Sequence, residues 1–252
     1  MKAMVLAAGL GTRLRPLTND RPKALVEVAG RTLLEITLTR LRAFGIHDVI
    51  VNVHHFADRM IEYLKTHDNF GMNIAISREN VLLDTGGGLK KAAWFFLESA
   101  KDDGANSNGE PFLLHNVDVI STIDFGRMVE VHQRSGALAT LAVQERESSR
   151  YLLFGQEERL CGRQIGDQEE IARASDEKQA LAFCGIHVIS PRLLAMMRQE
   201  GVFSIIETYL DLAAQGKKIS AFRADEYYWR DLGKVEEIRQ AEEDFETQKL
   251  RL

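Results

Sequence analysis

The chain begins with a short apolar run that leads directly into a glycine-rich turn. Residues Ala3 to Ala8 are apolar over the length of one buried strand, and the turn Gly9-Leu10-Gly11-Thr12-Arg13 follows at once. Glycine tolerates positive φ angles and lets an anion approach the main chain closely. The cationic side chains in or just after the turn are Arg13, Arg15, Arg21 and Lys23. Clustered backbone N–H groups backed by such cations favour the binding of a polyphosphate.

A turn with two glycines leaves two interpretations open, an ordinary tight turn and a phosphate-binding loop. The segment is not a P-loop, because it contains no Gly-Lys-Ser or Gly-Lys-Thr sequence. It is not the dinucleotide-binding fingerprint either, because Leu14 occupies the position of the third glycine. The local spacing therefore does not decide between the two interpretations.

The longer segment from Leu6 to Leu25, LAAGLGTRLRPLTNDRPKAL, resembles the signature LAAGxGTRLxPLTxxxPKxL of the sugar nucleotidyltransferases. Those enzymes join a nucleoside triphosphate to a sugar 1-phosphate. The resemblance implies an α/β fold of the Rossmann-like, GT-A-like kind, a three-layer sandwich whose mixed, mostly parallel central sheet carries helices on both faces. It implies Mg²⁺ as the cofactor. The nucleotide-binding residues that it implies here are Leu6, Ala7, Ala8, Gly9, Gly11, Thr12, Arg13 and Lys23.

The spacing of apolar residues supports the same fold class. Leu34, Leu38 and Leu41 recur at i, i+4 and i+7 and predict an amphipathic helix, which Gly45 is placed to end. Asp48 to Val53 is rich in β-branched residues and indicates a buried strand. Because strands and helices alternate in this way, we expect a mostly parallel sheet with helices on both faces.

Length and charge restrict the class of protein. The 252 residues suit a single domain over 1–252. The resemblance implies that it is a nucleotidyltransferase domain with a nucleotide-binding half at about 1–120, a sugar-binding half at about 121–233 and a C-terminal helix at about 234–252. The net charge of −5 disfavours general nucleic-acid binding. No apolar run reaches the ~18 residues of a membrane span, and the opening run is too short for a signal peptide. Cys161 and Cys184 lack CxxC spacing, so we expect reduced, buried thiols in a cytoplasmic protein. We expect the protein to be a monomer or a homodimer.

A second glycine-rich segment, Asn80 to Gly88, ends in Asp84-Thr85-Gly86-Gly87-Gly88 and precedes a predicted helix from Leu89 to Leu97. Three glycines cost backbone entropy, and either a tight turn or the close approach of a nucleotide explains them. In the family that the chain resembles, this loop lies beside the base and the ribose. The resemblance therefore adds Asp84, Thr85, Gly86 and Gly87 to the nucleotide-binding residues.

Two aspartates, Asp118 and Asp231, end apolar segments of the predicted sheet. Open α/β sheets bind ligands at the carboxyl ends of their strands, and one or two carboxylates with a phosphate oxygen suffice to hold Mg²⁺. Loop capping is the alternative for either residue. The resemblance pairs them as metal ligands, because Asp118 matches the aspartate of the family's Gly-Asp motif and Asp231 matches that of its Trp-x-Asp-x-Gly motif. Asn116 and Gly185 are the sugar-binding residues that it implies.

The resemblance also implies catalytic roles for Arg13, Lys23, Asp118 and Asp231. Arg13 would hold the β- and γ-phosphates, and Lys23 would reach the α-phosphate while an oxygen of the sugar 1-phosphate attacks it. The nucleophile is already an anion, so this chemistry requires no general base.

Two departures from the family pattern concern the acceptor sugar: Val117 stands where the family has glycine, and a Glu-Lys-Pro type motif is missing. The short length, the Asp84–Gly88 segment and Phe183-Cys184-Gly185-Ile186 most resemble N-acetylmuramate 1-phosphate uridylyltransferases, so UTP with N-acetylmuramate 1-phosphate is the preferred pair. Mannose 1-phosphate guanylyltransferases are nearly as similar, and a glucose 1-phosphate nucleotidyltransferase is a further alternative. A non-catalytic nucleotide-sugar sensor on the same fold is the alternative from another class, which Val117 keeps open.

Overall fold

The computed structural model of the chain describes residues 1–97 and 109–247. Its strands are β1 (Lys2–Leu6), β2 (Glu27–Val28), β3 (Arg31–Thr32), β4 (Asp48–Val53), β5 (Asn73–Arg78), β6 (Phe112–Asn116), β7 (Val119–Ser121), β8 (Ala139–Gln144), β9 (Arg150–Phe154), β10 (Leu160–Ile165), β11 (Gln168–Ile171), β12 (Gln179–Ile189), β13 (Ile219–Arg223) and β14 (Trp229–Asp231). Its α-helices are α1 (Leu33–Ala43), α2 (Ala57–Thr66), α3 (Asp84–Lys91), α4 (Ala93–Leu97), α5 (Phe125–Ser135), α6 (Ile205–Ala214) and α7 (Val235–Glu246).

The described chain divides into two compact units, each assembled from separate stretches of sequence. The first unit comprises Met1–Leu83, Leu114–Ile123 and the described residues from Tyr227 onward. The second comprises the described residues between Asp84 and Leu113, together with Asp124–Glu226. The C-terminal helix expected at about 234–252 is α7, and residues 248–252 of that expected range lie outside the described residues.

The first unit is built on adjacent strands in the order β6, β1, β4 and β5. β1 and β5 both run parallel to β4, with Leu6 and Ser77 each opposite Asn52. Ala3, Met4 and Val5 of β1 are fully buried, as expected for a strand that is covered on both faces. Because the strands are parallel and in this register, the carboxyl ends of β1, β4 and β5 meet at one edge of the sheet.

Helix α1 has the amphipathic pattern predicted from its sequence. Leu34, Leu38 and Leu41 are fully buried. The Thr32 hydroxyl caps the helix by accepting a hydrogen bond from the Glu35 N–H (3.1 Å), which satisfies one of the donors that a helix start leaves open. The helix ends at Ala43, two residues before Gly45, which has the positive φ (76°) typical of such a position.

The second unit has a mixed sheet. β9, β10 and β11 form antiparallel pairs, β12 pairs antiparallel with β8 and β9, and β13 runs parallel to β8. Together with the parallel strands of the first unit and the helices between them, this arrangement confirms the predicted α/β fold class. Within residues 1–97 and 109–247, no helix combines the length and the apolar character that crossing a membrane requires.

Candidate functional site

The opening turn takes a conformation that only glycine accommodates easily. Gly11 lies in the left-handed region (φ 62°, ψ 25°), where L-residues with a Cβ are strained. A Cβ built on Gly11 would lie 3.0 Å from Lys23 Cβ and 3.0 Å from Thr18 Cγ2. The Thr18 hydroxyl also donates to the Gly11 carbonyl oxygen (2.9 Å). The two ends of the signature segment therefore pack directly against each other.

The start of the turn is anchored by hydrogen bonds, whereas its tip is exposed. The Leu6 carbonyl accepts from the Val117 N–H (3.1 Å), and the Ala7 N–H donates to Asn52 Oδ1 (2.6 Å). Ala7 and Ala8 are buried, and the exposed residues beyond them include Gly9, Thr12 and Arg13. Any main-chain contact with a ligand must therefore come mainly from the part of the turn beyond Ala7.

Lys23 and Asp118 form an ion pair between residues that are distant in sequence. Lys23 begins a short 3₁₀ turn, Lys23–Leu25, directly after Pro22, and only 8% of it is exposed. Its Nζ donates to Asp118 Oδ2. The backbone carbonyl of Asp118 accepts from the Leu232 N–H (2.8 Å), which ties this loop to the segment that follows β14. The structure thus brings the signature lysine and the aspartate after β6 into direct contact.

Asp231 lies at the end of β14, opposite Val119 of β7. Its Oδ1 accepts a hydrogen bond from the Gly233 N–H (2.7 Å). Burial is the main cause that raises the pKa of the Asp231 carboxyl group, and the carboxylate of Asp118 raises it further, whereas Lys23 and Arg13 lower it. The two carboxylates are therefore close enough to repel each other.

Arg13 approaches the Asp231 carboxylate from the opening turn. A Cβ built on Gly233 would lie 3.0 Å from Arg13 Nη2 and 2.6 Å from Asp231 Oδ1. The guanidinium group and the carboxylate group thus flank one glycine. The first unit therefore brings together the four predicted catalytic residues, with two cations and two carboxylates in one cluster.

This cluster can hold a phosphate-bound cation. Among the described residues, no group of three or more His, Cys, Asp and Glu side chains is arranged to hold a metal ion. Asp118 and Asp231 nevertheless form a pair of oxygen donors whose mutual repulsion a divalent cation would relieve. Mg²⁺ commonly uses one or two carboxylates and completes its shell with water and substrate phosphate oxygens, so the residues fit this ion.

His115 precedes this cluster along the chain but is unsuited to proton transfer. It is almost completely buried at the end of β6, and its Nδ1 lies 2.8 Å from the Asn116 carbonyl oxygen. Burial, followed by the positive charge of Arg40, lowers the pKa of His115 from 6.5 to about 3. The imidazole is therefore neutral at physiological pH.

Val117 does not strain the backbone beside Asp118. Its φ lies outside the positive range, and its side chain is buried. The N–H of Val117 makes the hydrogen bond to Leu6 described above. A residue with a Cβ is therefore compatible with the position that the family gives to glycine.

In the second unit, the glycines after Asp84 lie inside α3. The sequence had suggested a loop that precedes a helix, and that prediction is wrong. The Gly86 and Gly87 N–H groups both donate to the Phe203 carbonyl oxygen (2.9 and 3.2 Å). A Cβ built on Gly86 would lie only 2.4 Å from the Phe203 ring. The Thr85 hydroxyl accepts from the Ile205 N–H (3.0 Å) at the start of α6. Close packing of α3 against this segment therefore accounts for Gly86, and the nucleotide-binding role of residues 84–87 stays a prediction.

The two residues predicted to bind the sugar belong to different units. Asn116 ends β6 in the first unit, and its Oδ1 is buried without a hydrogen-bond partner among the described residues. Gly185 lies in the second unit at an irregularity in the pairing of β12 with β8, and its φ is 72°. A buried acceptor without a partner is costly, so Asn116 is available to a ligand donor.

The sequence did not identify the residues that support the cluster. Arg230 donates to Glu237 Oε2 (2.6 Å) and Asp244 Oδ2 (2.9 Å) of α7. The Tyr228 hydroxyl donates to the same Asp244 oxygen (2.8 Å). One sequence signal could have indicated supporting residues of this kind. It is a polar residue inside an otherwise apolar segment, such as Asn52 in β4, which holds the Ala7 N–H.

Comparison with known proteins agrees with this geometry. The family model described as nucleotidyl transferase matches residues 2–248, so the chain belongs to the nucleotidyl transferase family. The match confirms the family expected from the Leu6–Leu25 segment and the class of enzyme that it implies.

Two relatives represent the expected subfamilies. An N-acetylmuramate alpha-1-phosphate uridylyltransferase of Caulobacter vibrioides is 37% identical over 240 residues, which cover 92% of this chain and 91% of the relative. A mannose-1-phosphate guanyltransferase of Yarrowia lipolytica is 30% identical over 240 residues, which cover 94% of this chain but only 62% of the relative.

Solved structures show the same fold. The chain matches a putative glucose-1-phosphate thymidylyltransferase from Bacillus anthracis, in complex with a sucrose, at a TM-score of 0.77 and 16% identity, covering 100% of this chain and 97% of the other. It matches HddC from Yersinia pseudotuberculosis, complexed with GMP-PN, at a TM-score of 0.71 and 21% identity, covering 97% and 99% of the two chains. At these identities the likeness concerns the fold alone, and it confirms the Rossmann-like class.

Proposed function

We propose that the chain is a magnesium-dependent sugar-1-phosphate nucleotidyltransferase that couples UTP to N-acetylmuramate 1-phosphate and releases pyrophosphate. The observation that carries the proposal is the cluster of Arg13, Lys23, Asp118 and Asp231 in the first unit. The 37% identity to a relative of that name, over nine-tenths of both chains, supports this choice of substrates.

The reaction requires the stabilisation of negative charge more than it requires proton transfer. An oxygen of the sugar 1-phosphate forms a bond to the α-phosphorus, the bond from that phosphorus to the bridging oxygen breaks, and pyrophosphate leaves with the electron pair. The nucleophile is already an anion, which agrees with the neutral, buried His115. In-line positioning and electrostatic stabilisation therefore account for the catalysis.

Arg13 and Lys23 are suited to different parts of the triphosphate. The guanidinium group of Arg13 is exposed at the turn and can bind two phosphate oxygens at once, as the leaving pyrophosphate requires. The ammonium group of Lys23 is a compact charge held beside Asp118, where it stabilises charge on the attacked phosphate. Such a group typically contributes about 3–4 kcal/mol to transition-state stabilisation.

Asp118 and Asp231 are the residues that would hold Mg²⁺. The metal, when bound, neutralises phosphate charge and helps to orient the triphosphate. The hydrogen bond from the Gly233 N–H orients the Asp231 carboxylate, and Lys23 orients that of Asp118.

Two alternatives use the same site. The similarity to mannose-1-phosphate guanyltransferases favours GTP with mannose 1-phosphate as the second candidate, and a uridylyltransferase of Synechocystis that is named for glucose 1-phosphate is 29% identical over 96% of this chain. A sensor without catalytic activity would not need all four charged residues of the cluster, so their joint presence disfavours it.

A substrate panel tests the proposal. The purified protein is incubated with Mg²⁺ and each of UTP, GTP, CTP, dTTP and ATP, paired with N-acetylmuramate, mannose, glucose and N-acetylglucosamine 1-phosphates, and pyrophosphate release is measured. We expect the highest rate with UTP and N-acetylmuramate 1-phosphate. A clear preference for another pair would replace the proposed substrates. If the protein binds nucleotide but releases no pyrophosphate with any pair, the result would favour the non-catalytic sensor.

Variants of the opening turn and the cluster provide the controls. Asp118→Asn and Lys23→Ala should lower the rate about a hundredfold or more, because the first weakens a carboxylate ligand for Mg²⁺ and the second removes a positive charge beside the attacked phosphate. Arg15→Ala is the matched control, because Arg15 is an exposed cation two residues from Arg13 to which we assign no catalytic role. Activity should disappear when the metal is chelated and return with added Mg²⁺.

We further expect a cytoplasmic monomer or homodimer that binds neither nucleic acid nor membranes.

A further inference from the structure

A buried asparagine lies between the ends of two strands that lead into the glycine-rich segments. Asn52 is the penultimate residue of β4, and only 3% of it is exposed. β4 is the middle strand of three, so Asn52 has Leu6 of β1 on one side and Ser77 of β5 on the other. Its side chain is therefore placed to reach the residues that follow both neighbouring strands.

The carboxamide of Asn52 uses both of its functions. Oδ1 accepts a hydrogen bond from the N–H of Ala7, the first residue after β1 (2.6 Å). Nδ2 donates to Oε1 of Glu79, the first residue after β5 (2.7 Å). One partner requires an acceptor and the other requires a donor, and the carboxamide supplies the two on separate atoms.

Glu79 extends the connection along the chain. It is 2% exposed, and its N–H donates to the Val53 carbonyl oxygen (2.8 Å). Its Oε2 accepts from the Leu83 N–H (3.0 Å). One continuous set of hydrogen bonds thus joins Ala7 to Leu83 through Asn52 and Glu79.

The two ends of this network lie at the predicted nucleotide-binding segments: Ala7 belongs to the first, and Leu83 directly precedes the second. Ala7 comes two residues before Gly9, and Leu83 comes directly before Asp84. The network holds the backbone at both points without using the polar groups of the exposed turn. A buried polar group that loses its partner is costly, so the backbone at Ala7 or at Leu83 can shift only if hydrogen bonds of this network break.

We propose that Asn52 and Glu79 are positioning residues for the nucleoside triphosphate: they act through the backbone at Ala7 and Leu83 and not by contact with the ligand. This inference rests on the proposed function and deepens it. It assigns nucleotide affinity, as distinct from sugar 1-phosphate affinity or turnover, to a buried hydrogen-bond network that the family signature does not contain.

The test uses one disruptive variant and its repair. Asn52→Asp keeps the size of the side chain and an acceptor for the Ala7 N–H, but it removes the donor and places a second carboxylate against Glu79. In the double variant Asn52→Asp/Glu79→Gln, the introduced glutamine can donate to the introduced aspartate and still accept from the Leu83 N–H. All three side-chain hydrogen bonds are then restored, with donor and acceptor exchanged only in the bond between positions 52 and 79.

Ser77→Ala provides the matched control. Ser77 is buried at the same register on β5, and its Oγ makes no hydrogen bond within the described residues. It therefore matches Asn52 in burial and depth but takes no part in the network, and its replacement should change neither nucleotide affinity nor turnover.

Each variant is measured by calorimetric titration with UTP and with GTP in the presence of Mg²⁺, by steady-state kinetics and by thermal unfolding. We expect Asn52→Asp to weaken binding of the preferred nucleotide about tenfold or more and to raise its KM equally, as the loss of one charge-assisted hydrogen bond predicts. In the same variant, kcat and the KM for the sugar 1-phosphate should each change by less than about twofold. The double variant should regain most of the affinity.

The outcomes separate this inference from the proposed function. A lowered melting temperature with unchanged nucleotide affinity, or a double variant no better than Asn52→Asp, would overturn the positioning role and leave the proposed function intact. If Asn52→Asp does not fold, Glu79→Gln alone must weaken nucleotide binding for the inference to stand, because the single carbonyl oxygen of glutamine replaces the two oxygens that accept from Asn52 Nδ2 and from the Leu83 N–H. A wild-type protein that binds neither UTP nor GTP would overturn both.

Discussion

Replacing Gly233 with alanine should disturb the candidate site while leaving every charged residue in place. The added Cβ would lie 2.6 Å from Asp231 Oδ1 and 3.0 Å from Arg13 Nη2, whereas ordinary contacts begin at 3.4 Å. The φ of Gly233 is not in the left-handed region, so the backbone itself accepts alanine. The steric conflict is therefore confined to the carboxylate and the guanidinium group.

The size of the effect follows from the displacement that this contact requires. The carboxylate oxygen must move by about 0.8 Å to reach ordinary contact distance, and it then weakens its 2.7 Å hydrogen bond from the Gly233 N–H. A misplacement of about 1 Å in a reacting site can lower the rate about a hundredfold. We therefore expect kcat/KM of Gly233→Ala to fall by about that factor, with a loss of folding free energy of about 1–3 kcal/mol.

The assay is pyrophosphate release over a range of Mg²⁺ concentrations, with urea unfolding of the same preparations. Gly126→Ala is the matched control, because Gly126 also lies two residues after an aspartate, and its added Cβ would lie 3.2 Å from Asp124 Oδ1. Gly126 is in α5, where alanine is preferred over glycine and offsets this slightly tight contact, so this variant should keep full activity and change stability by less than about 1 kcal/mol. Wild-type kcat/KM in a folded Gly233→Ala would refute the assignment of Asp231 and Arg13 to the reacting site.

Three further perturbations test the packing and the pH dependence of stability. Gly86→Ala should reduce the free energy of unfolding in urea by about 1–3 kcal/mol, because its Cβ would lie 2.4 Å from the Phe203 ring; an unchanged midpoint would contradict that packing. Burial lowers the pKa of His132 from 6.5 to about 4 in the folded chain. Between these two pH values the imidazole is protonated in the unfolded chain but neutral in the folded chain, so the free energy of unfolding decreases as the pH falls through that range. The loss due to His132 is about 2 kcal/mol at about pH 5, so the decrease in unfolding free energy between about pH 7.5 and about pH 5, measured in urea, should be about 2 kcal/mol larger in the wild type than in His132→Gln. Asp244→Asn should cost about 2 kcal/mol of unfolding free energy in urea, because it weakens the charge-assisted hydrogen bond from Arg230, and a stability equal to wild type would show that this pair does not support β14.

Part of the fold follows from local patterns that the sequence displays directly. The spacing of Leu34, Leu38 and Leu41 predicted the buried face of α1, and the apolar run from Asp48 to Val53 predicted β4 with the bounds that the structure has. Such patterns are informative because a helix and a strand repeat over a few residues, and burial of one face imposes the same repeat on the sequence.

The second glycine segment shows where local patterns fail. Three glycines in a row suggested a loop, because glycine is a poor helix former. The structure places Gly86 and Gly87 in α3, where the backbone packs on Phe203, more than a hundred residues later in the chain. The demand for glycine comes from a neighbour that is remote in sequence, so no local rule could reveal it.

By itself, the sequence determined the family of the chain and indicated the candidate catalytic residues, because the Leu6–Leu25 segment matches a family signature that includes Arg13 and Lys23. It could not determine how those residues are held. The ion pair of Lys23 with Asp118 joins positions 95 residues apart, and the connection from Ala7 to Glu79 passes through the side chain of Asn52 on the strand between them. Such contacts depend on strand order and register, which are set by the burial of whole sheets and helices, and only the tertiary structure decides them.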